Sequence, residues 1–463
     1  MNFINNLESF GGQLALQDET GVTLTYTELA QKADSLAKII GIDKRFIFVS
    51  CSNNIETIVG YIAGLRGGHV VLMFDSSLDA SLLDKLIERY KPDGIWANGG
   101  DGYQYAQLSE KYSKIHPDLS LLLPTSGSTG SPKLVKLTTK NLQSNAESIV
   151  EYLQLDSSEA PITTLPLHYS YGLSIINSHL LVGAKILLTS RSVVSKEFWD
   201  FFKDAQATSL SGVPYTYEML QRLRIEQMHL PSLRYMTQAG GKLASRLVEH
   251  FANIAKDKGV RFYTMYGQTE ATARISWLPA DRILSKVGSI GVAIPKGEII
   301  LEDASGNPIN SPEIEGELIY QGENVMMGYA ESIKDLALND QLNGVLRTGD
   351  IAKYDKDGFY YITGRLKRFI KVFGNRINLE EIEIGLSEQG FNSKCTGKDN
   401  LLVIATVDSN SDQIQQYVIE KYHFHHSIVR VFQLDEFPLS SSGKMQYSEL
   451  FKKYDGEVNR DTK

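Results

Sequence analysis

Between residues 45 and 97 the chain repeats one pattern: a short unbroken apolar run, a longer stretch with helical spacing, then a turn. RFIFVSC (45–51) is apolar at odd and even positions alike, so both faces must be covered and it reads as a buried strand. IETIVGYIAGLRGG follows with apolar residues three and four apart and a stop at Gly67 and Gly68, which predicts a helix. HVVLMF is the next strand, and DASLLDKLIERYKPDGIWA gives helix, turn and strand again. Strands that alternate with helices run parallel, because the helix is the crossover that returns the chain to the same edge. The pattern predicts an α/β protein with sheets flanked by helices, and no repeat of fixed period competes with it.

A chain of 463 residues exceeds one ordinary core, so at least two domains are expected. Near residue 360 the pattern changes. IAKYDKDGFYYITGR places two short strands around Asp357-Gly358, a hairpin signal. NRINLEEIEIGLSEQ is a helix for which Asn378 and Glu381 supply a capping box. LLVIATV, SDQIQQYVIEKYHF and IVRVFQL then read as strand, helix and strand. We place the boundary near 364–367, giving a large N-terminal domain of β-sheets flanked by helices (1–364) and a small α+β C-terminal domain (365–463).

Composition narrows the function. The formal net charge of −8 offers no electrostatic case for nucleic acid or a membrane surface. Two cysteines, Cys51 and Cys395, exclude a disulfide scaffold and a four-cysteine zinc site, and fit a reducing compartment. No apolar stretch reaches a membrane span, and MNFINNLESFGG lacks the pattern of a signal peptide, so a cytoplasmic location is expected. The HFHH cluster (423–426) lacks the carboxylate or cysteine spacing of a metal site and reads as the surface end of a helix.

The chemistry starts in LLLPTSGSTGSPKLVKLT (121–138). LSLLLP reads as a strand entering a loop and KLVKLT as one leaving it, with a helix beginning at Thr138 or Thr139. A loop of Gly, Ser and Thr offers backbone and hydroxyl donors with little bulk, which suits phosphate oxygens. It is not a P-loop, because Gly130 is followed by Ser-Pro rather than Lys.

TSGSTGSPK resembles the phosphate loop of the AMP-forming adenylating superfamily: acyl-CoA and aryl-CoA ligases, peptide-synthetase adenylation domains and luciferases. Further segments match in the same order. LTYTELAQKA (24–33) resembles the early helix motif, and GLRGGHVVLMFD the glycine-containing segment before an early strand. LPLHYSYGL (165–173) resembles the acyl-binding motif, MYGQTEAT (265–272) the adenine and magnesium motif, and LRTGD (346–350) the ribose motif. GRLKRFIKVFGNRINLEEIE (364–383) resembles the hinge, and PLSSSGKMQ (438–446) the C-terminal lysine motif.

The resemblance implies a two-step reaction. A carboxylate attacks the α-phosphate of ATP to give an acyl-adenylate and pyrophosphate, and a thiol then displaces AMP. It implies that Thr125, Ser126, Gly127, Ser128, Thr129 and Gly130 cradle the β- and γ-phosphates, with Lys133 closing the loop. Tyr266 stacks near the adenine, with Gly241 and Gly267 among the nucleotide contacts. Thr269 bonds the α-phosphate, and Glu270 holds Mg²⁺, a hard cation suited to carboxylate oxygen. Asp350 and Arg365 take the ribose, and Lys444 bridges the carboxylate and the α-phosphate. Lys367 is the hinge of a mobile small domain, a position often occupied by Asp.

The acid pocket is expected from His168, Tyr169, Ser170, Gly172, Val213, Pro214, Ala239 and Gly240. LPLHYSYGL has no Asp to pair an ammonium group, so an uncharged aliphatic or aromatic carboxylic acid is favoured over an amino acid. Its HY order departs from the aromatic-His order of many acyl ligases. With no basic cluster visible for the nucleotide end of coenzyme A, the thiol is coenzyme A or the phosphopantetheine of an acyl or peptidyl carrier protein. The alternative is a stand-alone amino-acid adenylation enzyme that loads a carrier protein.

Overall fold

The computed structural model describes residues 2–109, 114–124, 133–366, 368–372, 375–440, 443 and 445–461. The chain forms two compact units, Met1–Ile299 with Tyr320–Leu346, and Ile300–Ile319 with Arg347–Lys463.

In the first unit, among the described residues, seven strands form one sheet. Its centre is parallel: Phe46–Cys51 pairs with Val70–Asp75 and Gly94–Asn98, and Val70–Asp75 pairs with Leu119–Pro124. The unbroken apolar runs are explained by two-sided burial. Ile47, Val49, Val71 and Met73 face one core with the helices Tyr26–Ile40 and Ile55–Arg66, while Phe46, Phe48, Val70 and Leu72 face a second core. The strands on either side of the glycine- and serine-rich segment, Leu119–Pro124 and Leu134–Thr138, pair antiparallel. The following helix starts at Thr138, whose side chain caps the Asn141 amide.

A second sheet of nine strands has six parallel strands at its centre, in the order Arg261–Tyr266, Tyr235–Gln238, Ser209–Gly212, Pro161–Ile162, Ile186–Leu188, Leu14–Asp18. Helix Tyr26–Ile40 is launched by Thr25, whose hydroxyl accepts from the Glu28 amide at 3.2 Å while the Glu28 carboxylate accepts from the Thr25 amide at 2.8 Å. The helix buries Tyr26, Leu29, Ala30, Ala33, Leu36 and Ile40, a three-and-four spacing that makes one face.

Helix Ser170–Leu181 is buried on every side and carries His179. The His179 Nδ1–H donates to the Ile175 carbonyl at 2.7 Å, so Nε2 accepts from the Tyr235 hydroxyl at 2.9 Å, the arrangement of a neutral ring. Burial lowers its pKa to about 4. The unfolded chain therefore binds this proton more readily than the folded one. The neutral ring's full contribution is present above about pH 6.5 and falls away toward pH 4, by up to about 3 kcal/mol. Urea unfolding at pH 7 and 4.5 is expected to show a smaller pH-dependent loss in His179→Gln than in wild type; equal losses would contradict this.

In the second unit, residues 350–354 pair antiparallel with 360–365, with Asp350 opposite Arg365. A ribbon of Phe369–Val372 and Asn375–Asn378 follows, then helix Leu379–Glu388. Strands Ser393–Lys398, Leu401–Thr406 and Val429–Gln433 form a further sheet. Asn378 does cap the helix, but its side chain accepts from the Glu380 amide at 3.0 Å, so the reciprocal box with Glu381 does not form. Helix Ser411–Tyr422 ends at His423 in the left-handed conformation, φ 55°, which accounts for the start of the histidine cluster as a helix stop. The boundary read from the sequence lies near 364–367, whereas the compact units divide at Leu346 and Arg347. Ile300–Ile319 groups with the later segment. Among the described residues no helix is long and apolar enough to cross a membrane.

Candidate active site

The strand Arg261–Tyr266 delivers the chain into a tight loop, 267–274, that returns when the Ile275 amide donates to the Tyr266 carbonyl at 2.9 Å. Gly267 is required by this return. A Cβ there would lie 1.8 Å from the Ala273 carbonyl oxygen. The far limb is clamped by Asn324, whose side-chain NH₂ donates to the Ala271 and Arg274 carbonyls at 2.8 Å each. Thr272 donates to the Asn324 carbonyl at 2.6 Å. The loop is thereby fixed on both limbs, and it carries Thr269 and Glu270.

Thr269 is buried, and its hydroxyl lies 3.2 Å from that of Ser170, the first residue of helix Ser170–Leu181. Glu270 is half-buried, and one of its carboxylate oxygens accepts from the Tyr329 hydroxyl at 2.9 Å. Tyr329 lies on the strand Gly328–Ala330, which pairs antiparallel with Leu134–Lys136. That pairing sets the Lys133 ammonium 4.0 Å from the centroid of the Tyr329 ring and 3.7 Å from Glu331. Burial and the adjacent Glu270 carboxylate both raise the Tyr329 pKa, so the hydroxyl stays a donor. Lys133, Tyr329 and Glu270 form one chain of contacts across nearly 200 positions of sequence.

A carboxylate fixed by a donor fits a ligand for a hard cation, which needs only one or two protein carboxylates when phosphate supplies the other oxygens. Tyr329→Phe should therefore raise the Mg²⁺ concentration needed for half-maximal activity about tenfold while leaving thermal stability near wild type. An unchanged Mg²⁺ titration would show that the hydroxyl does not orient Glu270.

On the acid side, Tyr169, Val213 and Gly240 meet. Gly240 has φ +83°, and a Cβ there would sit 2.5 Å from the Tyr169 hydroxyl and 3.0 Å from Val213. Gly241 lies against Pro214 in the same way, at 3.1 Å. Ala239 is buried and joins Gly212 through a backbone bond of 3.2 Å. His168 faces Asp75 at 3.7 Å, and burial lowers its pKa, with Asp75 pulling the other way. Gly172 packs against the segment that precedes its helix, where a Cβ would be 2.3 Å from the Pro166 carbonyl oxygen. Tyr266 is half-buried, with its hydroxyl accepting from Gln268 at 3.3 Å.

In the second unit, Asp350 is buried and pairs with Arg365 at 2.8 Å. Thr125, Ser126, Gly127, Ser128, Thr129, Gly130, Lys367 and Lys444 lie outside the described residues. Tyr329, Asn324 and Asp75 were not singled out in the sequence, since each acts through a partner distant in the chain. A cavity of about 1120 Å³ in the first unit is lined by Lys44, His116, Lys140, Lys296, Glu323 and Asp340 among others, and by none of the candidate residues.

The model of a family described as AMP-binding enzyme matches residues 96–330. A 2-succinylbenzoate–CoA ligase of Bacillus cereus is 29% identical over 370 residues, covering 75% of this chain and 74% of the relative. A feruloyl-CoA synthase of Amycolatopsis sp is 31% identical over 282 residues, covering 58% of this chain and 53% of the relative. The solved o-succinylbenzoate coenzyme A synthetase of Bacillus subtilis in complex with AMP has the same fold, with a TM-score of 0.80 at 22% identity over 97% of this chain and 98% of that one.

Proposed function

Because the chain belongs to the AMP-binding enzyme family, we propose that it is an AMP-forming carboxylic acid–thiol ligase. The observation that carries this reading is the fixed loop that presents Thr269 beside Ser170 and Glu270 beneath Tyr329 and Lys133. In the first half-reaction a carboxylate oxygen bonds the α-phosphorus of ATP, and the bond to the pyrophosphate oxygen breaks. In the second, a thiol sulfur bonds the acyl carbon, and AMP leaves with the oxygen that came from the acid.

The first step crowds anions together, so oriented donors and positive charge must offset their repulsion. Thr269 presents a hydroxyl donor to the α-phosphate, held in place by Ser170. Lys133 brings positive charge to the start of the strand that follows the phosphate-loop segment. Glu270 would hold Mg²⁺, which when bound supplies charge against the triphosphate. Asp350 and Arg365 would take the ribose, with Asp350 accepting both hydroxyls. Lys444 would neutralise carboxylate and phosphate as they approach, and Lys367 would serve as the pivot that exchanges the two half-reactions.

The thiol is that of coenzyme A, with a carrier-protein phosphopantetheine arm as the finer alternative. The test is ATP–pyrophosphate exchange over a panel of aliphatic, aromatic and amino acids, followed by thioester formation with coenzyme A or a carrier protein. Exchange is expected with carboxylic acids that carry no ammonium group. Exchange with amino acids alone would replace this reading with the amino-acid adenylation enzyme.

A further inference from the structure

Among the described residues, three deeply set cations are held by carbonyl or carboxylate oxygens, and a fourth is not. Lys136, fully buried, donates to the Asp335 and Leu338 carbonyls at 3.1 and 3.2 Å. Arg66 is held by Asp34 at 2.7 Å and by Glu8. Arg368 is held by Glu383 at 2.7 Å. Arg274 is 2% exposed, and although the Tyr152 hydroxyl is a hydrogen-bond partner of its guanidinium, among the described residues no carboxylate pairs with it and its Nε–H has no partner. Its guanidinium carbon lies 4.2 Å from the centroid of the Tyr171 ring. Tyr171 offers only that face, because its hydroxyl is engaged with the Thr237 carbonyl and hydroxyl at 3.0 and 2.8 Å.

A guanidinium cannot shed its proton to escape burial. An aromatic face compensates a buried cation only in part, and a buried charge with an unmade hydrogen bond remains costly. Such a group is suited to an incoming anion, and its position shows which one. Arg274 ends the loop that carries Thr269 and Glu270. The Tyr171 ring beneath it lies 6.2 Å from the Tyr169 ring, whose hydroxyl reaches Gly240 in the acid pocket. The field of Arg274 is felt along this wall. Burial pushes the Tyr152 hydroxyl up to about 12 while Arg274 pulls it down, and Arg274 opposes the burial of Tyr171 in the same way.

We propose that Arg274 is a specificity-determining residue that reads a second negative charge on the substrate, so the pocket takes a carboxylic acid bearing a further carboxylate remote from the reacting one. This replaces the uncharged tail expected from LPLHYSYGL, and it rests on the adenylating reading of the site.

The test compares pairs of acids matched in length and shape, one ending in a methyl group and one in a carboxylate, by ATP–pyrophosphate exchange. A sulfonate-ended member separates charge from carboxylate shape. The wild-type protein is expected to favour the diacid in kcat/KM by at least about tenfold. Arg274→Met should lower kcat/KM for the diacid about 10- to 100-fold, mainly through KM, while sparing the methyl-ended acid. Arg274→Lys should recover part of the loss. A wild-type preference for the methyl-ended acid, or equal loss of both acids in Arg274→Met, overturns the proposal.

Thermal unfolding of the wild-type protein with each acid, without ATP, provides an independent arm. The diacid should raise the midpoint more than its methyl-ended match, and equal shifts count against Arg274. Absence of exchange with every acid would instead remove the adenylating reading, and the thermal arm would still decide whether the pocket reads the second charge.

Discussion

Glu270→Gln is expected to slow adenylate formation about 100-fold, or about 2.7 kcal/mol of barrier, with little change in stability. The amide keeps the shape of the carboxylate and an oxygen to accept from Tyr329, whose hydroxyl lies 2.9 Å away in the native protein. The substitution therefore removes the charge and leaves the packing. A neutral amide is a poor ligand for a hard divalent cation. The loss should appear in the maximal pyrophosphate-exchange rate and in the Mg²⁺ titration, and it should exceed that of Tyr329→Phe, which leaves the charge in place. A Glu270→Gln enzyme within threefold of wild type at ordinary Mg²⁺ would remove this residue from the site.

Gly267→Ala is expected to be strongly damaging, because the added methyl group meets backbone rather than side chains. The added carbon would lie 1.8 Å from the Ala273 carbonyl oxygen and 2.9 Å from the Arg274 Cα, and both are backbone atoms that no rotamer change can move. The loop must open to admit it, and opening strains the Asn324 clamp and displaces Thr269 and Glu270 together. We expect a stability loss of about 3 kcal/mol, at the upper end of overpacking costs, with exchange activity lost even below the unfolding transition. Gly12→Ala is the control, since a Cβ there meets nothing within 4 Å and its effect should stay within about 0.5 kcal/mol. Denaturant midpoints of the two variants make the comparison. Equal midpoints would show that the loop relaxes freely.

The fold was legible where local pattern and burial agree. RFIFVSC and HVVLMF could be read as buried strands because both faces are covered, and two-sided burial leaves an unbroken apolar run. The helix cap was legible to within one residue, Thr138 or Thr139, because an N-cap depends on neighbours three residues away, and the structure places it at Thr138. The role of Tyr329 was not, because it depends on strand pairing between Gly328–Ala330 and Leu134–Lys136, which local spacing does not encode. Arg274 was hidden for a related reason. In TEATARISW a lone arginine reads as a solvated charge, and only the Tyr171 ring and the return of the chain to Tyr266 bury it. The grouping of Ile300–Ile319 with the later unit is likewise a tertiary fact, reached through contacts such as the Glu313 amide with the Tyr354 carbonyl.

The most direct measurement follows the oxygen. The protein is supplied with ATP, Mg²⁺, coenzyme A and a competent acid labelled with oxygen-18 in its carboxyl group, and the nucleotide product is weighed by mass spectrometry. An acyl-adenylate made by carboxylate attack on the α-phosphorus leaves one labelled oxygen in AMP for every turnover and none in pyrophosphate. Formation of ADP, with the label in inorganic phosphate, would mean that the acid attacks the γ-phosphorus and would contradict adenylation by this protein.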